Sequence, residues 1–196
     1  MSVETIEPIT HTPARVVVAT LVALMLGAGT ARAQDTAGSD APVDIGSTVP
    51  TAAAVKEGLF PDDECEELKA NGFKCMGFKP AVKYSLPASS FALGSAIIPA
   101  LLKQQLDVFA EVLRGKNGST RKVQIVGHAD ASGSQASNLD LSRRRAESVR
   151  DYLVQKGVSK DLLAVDGVGA QTPKNKSNPF SAENRRVEIG RANPPH

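Results

Sequence analysis

Two charged side chains fifteen positions apart, Asp130 and Arg145, are the residues of this chain best suited to chemistry. A carboxylate accepts hydrogen bonds from an ammonium, and a guanidinium grips another carboxylate through two parallel N–H donors. Brought to one pocket, the pair suits a zwitterion that carries both groups. Amides at a helix N-terminus would add donors for the same anion. The two residues fit a plainer arrangement equally well, a salt bridge that ties a loop to a helix with nothing bound. A catalytic use needs a nucleophile or a poised acid–base pair. His128 and Asp130, two apart and so on one face of a strand, are the candidates, yet no Ser or Cys stands beside them in a nucleophile setting. No third ligand follows at metal-site spacing, and there is no phosphate-cradling loop or dinucleotide fingerprint. His128 reads as a structural residue at a strand end. The chain reads as a binder, with no enzyme activity, cofactor or metal expected.

The elements that must position Asp130 and Arg145 are legible around them. Val123 and Ile125 alternate with Lys122 and Gln124, as in a half-buried strand spanning Arg121 to Val126. A polar loop follows, Ala129 to Ser137, with Gly133 free to take positive φ. Ser137 and Asp140 have capping-box spacing and predict a helix start there. Leu141, Ala146, Val149 and Leu153 share one face of that helix, and Gly157 ends it. Upstream, Leu102, Leu106, Phe109 and Leu113 form the apolar stripe of a second helix, Pro99 to about Gly115. Val82 to Leu93 predicts a strand broken near Pro87, Leu163 to Val165 a third strand and Arg186 to Ile189 a last one. The order β-α-β-α-β-β predicts an α/β two-layer sandwich with helices on one face of a mixed sheet.

From Gly127 to Val149 the chain follows G-H-T-D-x-x-G-x-x-x-x-N-x-x-L-S-x-x-R-A-x-x-V, with Ala129 in place of the Thr. Further on, Gly167-Val168-Gly169 with Pro173 matches G-x-G-x-x-x-P, and Asn184-Arg185-Arg186-Val187 matches N-R-R-V. In these motifs residues 83–190 resemble the OmpA C-terminal-like family of peptidoglycan-binding domains. The resemblance implies non-covalent binding of the diaminopimelate residue of the peptidoglycan stem. By it, Asp130 takes the ammonium and Arg145 the carboxylate; Asn138 and the loop amides near Ser132 complete the cradle, with Arg185 as a neighbour. His128, Leu141 and Val149 support and pack. The chain departs from the family at Phe91-Ala92-Leu93-Gly94-Ser95, where F-D-F-D-S is common, so Gly94 can offer only backbone. It departs again at Phe180-Ser181, where relatives usually carry Gly-Arg. An adaptor subunit that uses the sandwich for protein contacts is the alternative function.

Val16 to Gly29 is an apolar run preceded by Arg15 and followed by Ala31-Arg32-Ala33, a pattern that predicts a signal peptide over residues 1–33 and a periplasmic product. Losing Glu4, Glu7, Arg15 and Arg32 with it leaves the net charge at +2, and no transmembrane segment is expected in the mature chain. A nearly balanced, exported chain is a poor partner for nucleic acid despite Arg143-Arg144-Arg145. Residues 34–51, rich in Ala, Asp, Gly, Ser, Thr and Pro, predict a flexible linker. Residues 52–79 predict a short segment with a helix from Pro61, stapled by a disulfide between Cys65 and Cys75, the two cysteines of the chain. An envelope-protein contact through residues 34–79 is a further partner expectation. The domain itself is expected over 80–191, with a tail at 192–196.

Overall fold

The computed structural model describes residues 41–74, 79–87 and 91–192. The expected signal peptide, the first part of the linker, Cys75 and residues 193–196 lie outside the described residues.

Five strands make one mixed sheet. They are β1 (Val43–Asp44), β2 (Tyr84–Leu86), β3 (Val123–Gly127), β4 (Leu163–Gly167) and β5 (Val187–Arg191), in the spatial order β1-β2-β5-β3-β4. β3 and β4 run parallel, while β5 is antiparallel to both β2 and β3. The helices are α1 (Ala52–Leu59), α2 (Asp62–Ala70), α3 (Ala100–Arg114) and α4 (Gln135–Gln155). From β2 onward the order is β-α-β-α-β-β, the architecture the sequence predicts.

One sheet face carries the core. Tyr84, Leu86, Val123, Ile125, Val187 and Ile189 point to it, and the stripe Leu102, Leu106, Phe109 and Leu113 of α3 packs there fully buried. Ala146, Val149 and Leu153 of α4 join the same core. Phe109 meets Tyr84 edge-on at 5.5 Å between ring centroids, a favourable geometry for two aromatic quadrupoles.

α4 sits unusually close to the sheet because of two glycines in register, Gly127 and Gly167. A Cβ on Gly127 would lie 1.9 Å from the Ser142 carbonyl oxygen, and one on Gly167 would lie 2.4 Å from the Arg143 nitrogen. Both obstacles are helix backbone, so the sheet at this point has to be without side chains. The helix itself begins earlier than Ser137. Ser134 is its N-cap, accepting from the Ser137 amide at 3.2 Å, because Ser134 is the hydroxyl placed to reach the third amide of the first turn.

The linker expectation needs correction from Val43 onward. Val43–Asp44 adds to β2 as a parallel edge strand. The buried amide of Gln105 then donates to the carbonyls of Gly46 and Thr48, both at 2.9 Å. A polar segment stays ordered here because its backbone groups find partners, without burying much apolar surface of its own. α1, which the sequence reading lacks, follows a Thr51 N-cap and buries Val55 and Leu59; the Tyr84 hydroxyl donates to Ala54 O at 2.7 Å.

α2 is held by charge. Asp62 accepts from Arg121 at 2.8 Å and from Arg191 at 2.7 Å, and Glu66 pairs with Arg121 at 2.6 Å. Cys65 is buried and is not a free thiol; its expected partner Cys75 is outside the described residues. Among the described residues no helix is long and apolar enough to cross a membrane.

Candidate functional site

At the C-terminal end of β3 the chain leaves the sheet as His128-Ala129-Asp130, and α4 returns above it. A cleft of about 250 Å³ opens between this turn, Leu93-Gly94 and the first turns of α4. Asp130, Ser132, Asn138, Arg145 and Arg185, the five ligand-binding residues expected from sequence, all line it.

Arg145 is the fully buried floor of the site, 0% exposed. α4 brings it there because it shares a helix face with Ser142 and Val149, and the paired glycines let that face approach the sheet. Its Nε donates to Ser95 O at 2.9 Å and one terminal nitrogen, Nη2, to Ala92 O at 3.2 Å. The guanidinium lies 5.1 Å over the Phe91 ring, a cation–π contact. The other terminal nitrogen, Nη1, is buried without a hydrogen-bond partner among the described residues. Burial, with the Arg185 charge beside it, pulls the Arg145 pKa down to about 10, so it stays a cation at neutral pH.

Asp130, only 4% exposed, is held by Ser132 and Arg185. Its Oδ1 accepts from the Ser132 amide at 3.0 Å and its Oδ2 from Arg185 Nη1 at 2.6 Å. Burial opposes ionisation, but the Arg185 hydrogen bond and the Ser132 amide outweigh it and hold the carboxyl below the ordinary carboxylate range. Arg185 Nε, like Arg145 Nη1, is buried and unpartnered among the described residues. Asn138 fixes the turn, its amide donating to Asp130 O at 2.9 Å and to Gly133 O at 3.2 Å.

Two expectations change. Gly133 does not have positive φ; it is glycine because a Cβ would come 2.8 Å from Asn138 Oδ1. The direct Asp130–Arg145 salt bridge is replaced by Asp130–Arg185, while Arg145 is anchored by main-chain carbonyls. The carbonyls of Ala92 and Ser95 and the ring of Phe91 are the parts of the site that sequence reasoning missed. Only Phe91 has a side-chain signal, since carbonyl anchors leave no trace in residue type.

The residues thus assembled are those of the recurring motif. The OmpA family model matches residues 90–186. Residues 90–186 are an OmpA-family domain. The outer membrane protein A of Bordetella avium is 40% identical over 89 residues, which are 44% of this chain and 45% of that protein. The peptidoglycan-binding protein ArfA of Mycobacterium tuberculosis is 44% identical over 70 residues, 35% of this chain and 22% of that protein. The matches thus span less than half the length of these two relatives. Among solved structures, the peptidoglycan-associated lipoprotein from Burkholderia pseudomallei is 25% identical with a TM-score of 0.48, covering 55% of this chain and 89% of that one.

A second polar cluster lies on the sheet face away from the core. Glu188 alternates with the core residues Val187 and Ile189 and so points to that face. Arg186 Nε donates to Glu188 Oε1 at 2.8 Å, and His128 Nε2 stands 3.5 Å from the same oxygen. His128 Nδ1 contacts Thr172 Oγ1 at 3.1 Å. Burial would raise the Glu188 carboxyl, but His128 and Arg186 hold it down at about 2. His128 and Asp130 therefore share no partner among the described residues, and His128 serves the sheet. No group of three or more His, Cys, Asp or Glu among the described residues is placed to hold a metal ion.

Proposed function

We propose that this protein binds peptidoglycan non-covalently, through the diaminopimelate residue of the stem peptide. The reading is carried by one observation: a fully buried guanidinium with an unpartnered terminal nitrogen lines the same cleft as a buried, ionised carboxylate. A free amino acid end has the complementary pair of charges. Its carboxylate takes Arg145 Nη1 and Arg185 Nε; its ammonium takes the Asp130 carboxylate, with Asn138 and the Ser132 amide fixing the turn. Two guanidiniums against one carboxylate leave the cradle one positive charge in excess, which favours the anionic end. The peptidoglycan-binding name of the similar ArfA supports this reading.

A few charge-assisted hydrogen bonds of about 1.5–3 kcal/mol each, set against ordering costs, give micromolar-to-millimolar affinity for one stem. Repeated stems on a wall polymer raise retention when a second anchor or self-association adds valency. The role is binding rather than catalysis, in the periplasm, after removal of residues 1–33 as a signal peptide. Cys65–Cys75 pairing would secure α2 there. An envelope partner would engage residues 34–79.

Sedimentation with purified diaminopimelate-type sacculi tests the cradle. Arg145→Ala and Asp130→Ala should abolish co-sedimentation. Arg144→Ala should leave it intact, because Arg144 points outward and pairs with Asp140 at 2.8 Å. Circular dichroism establishes that each variant is folded. Wild-type binding by folded Arg145→Ala would refute the cradle and leave the adaptor role as the better account.

A further inference from the structure

We propose that Ser142 is a positioning residue of the cradle: through Gly169, its hydroxyl sets the separation between the Arg145 guanidinium and the Asp130 carboxylate. The inference rests on the cradle reading above and adds to it a residue that touches no ligand.

Ser142 lies where α4 rests on Gly127 and Gly167, and it is 0% exposed. Its hydroxyl works in both directions, as a hydroxyl can. It donates to Leu139 O at 2.9 Å and accepts from the Gly169 amide, also at 2.9 Å. The first bond is the local one that a helical serine makes to the preceding turn. The second leaves the helix.

Gly169 carries the connection onward. Its carbonyl accepts at 2.8 Å from the amide of Ala129, the residue immediately before Asp130. The turn after β4 lies hard against α4 here. Gly169 has a φ of +58°, and a Cβ on it would come 3.2 Å from the Leu139 nitrogen, so a residue without Cβ is needed. Two hydrogen bonds thus join α4 to the exit of β3. Arg145 stands less than one helical turn beyond Ser142, and Asp130 directly follows Ala129. The backbones that carry the two charges are therefore joined by a path with no long, rotatable side chain in it.

Other bonds to this stretch run elsewhere. His128 N donates to Arg186 O at 2.9 Å and Ala131 N to Pro179 O at 3.0 Å; neither acceptor belongs to the helix that carries Arg145. From α4, Asn138 holds the carbonyl of Asp130, and Ser142 holds, through Gly169, the residue before it. Removing the Ser142 hydroxyl leaves the buried Gly169 amide without its acceptor, a state costly enough to shift the turn. Ala129 and Asp130 move with it, while Arg145 stays anchored to Ala92 and Ser95. Only the carboxylate arm is displaced, and that asymmetry separates a positioning role from a merely structural one.

Calorimetric titration of the full chain with two probes reads the asymmetry. One probe is the N-acetylated tripeptide L-Ala-γ-D-Glu-diaminopimelate. The other ends in aminopimelate instead and lacks the distal ammonium. The wild type should prefer the first by about tenfold, equivalent to about 1.4 kcal/mol. Ser142→Ala should lose about five- to tenfold for the diaminopimelate probe and keep its affinity for the other. Gly169→Ala, which pushes the same turn off α4, should show the same selective loss and decides the matter if Ser142→Ala fails to fold. Leu106→Ala, destabilised in the core, should keep the wild-type preference. Wild-type affinities in folded Ser142→Ala would overturn the positioning role, and so would an equal loss for both probes. A wild type that binds the two probes alike overturns it as well; if folded Arg145→Ala then also binds sacculi normally, the cradle itself falls.

Discussion

Arg145 and Asp130 hold their charges by unlike means. Arg145 is buried against three main-chain and ring contacts and keeps an unpartnered donor, whereas Asp130 is stabilised by an amide and a neighbouring guanidinium. The neutral residue that joins them is Asn138, and its position depends on the absence of a side chain at Gly133. Gly133→Ala should therefore displace Asn138 and cost about one neutral hydrogen bond, 0.5–1.5 kcal/mol. Sacculus binding should weaken about two- to tenfold while the thermal midpoint moves little. Titration and a melting curve on the same sample check both halves of that expectation. Asp130 pairing with Arg185 was not legible in the sequence. The two are 55 positions apart, and either arginine suits the carboxylate until the fold places them. What the motif did convey was that these five residues come together, since all five line one cleft.

Among the elements, α3 and α4 were readable because long stripes of apolar residues repeat over several turns. Leu106→Ala, deep in the α3 stripe, should cost about 2–5 kcal/mol in a chemical denaturation series. β1 was not readable. Two residues carry no period, and its order derives from β2 and from the Gln105 amide, both distant in sequence. The α4 start was misplaced by three residues because Ser134 and Ser137 are both competent caps, and only the turn geometry chooses between them. The glycines give a sharper test of element packing. Gly127→Ala should destabilise by about 1–3 kcal/mol or more, since helix backbone blocks the new methyl. Gly115→Ala, at negative φ with its nearest obstacle at 3.4 Å, should instead raise stability by about 0.4–1 kcal/mol. Thermal unfolding of the two variants side by side distinguishes packing from backbone freedom.

At the scale of the molecule, two charged assemblies fasten parts that sequence separates. One clamps α2 through Asp62 to Arg121 and Arg191. Asp62→Asn should loosen residues 62–70, seen as faster limited proteolysis there, at a cost of about 1 kcal/mol given the partly exposed arginines. Sacculus binding should not change. The other assembly, His128–Arg186–Glu188, makes stability depend on acid. The Glu188 carboxyl titrates at about 2 when folded against an ordinary 4.5. Its contribution is therefore complete above pH 4.5 and is lost as pH falls toward 2. Denaturation midpoints measured across that window should fall with pH. Glu188→Gln should be less stable at neutral pH, with its deficit shrinking toward pH 2.

The glycine saddle beneath α4 has a consequence for how fast a ligand can bind. Helix backbone rests directly on strand backbone, with no cushion of side chains that could roll or compress. The guanidinium three residues beyond Ser142 is thus delivered in its final place before any ligand arrives, and no ordering of α4 remains to be done on encounter. Association should follow a single exponential whose rate rises linearly with ligand concentration, without the plateau that a slow rearrangement imposes. Differences in affinity among stem variants should then appear in how long each one stays.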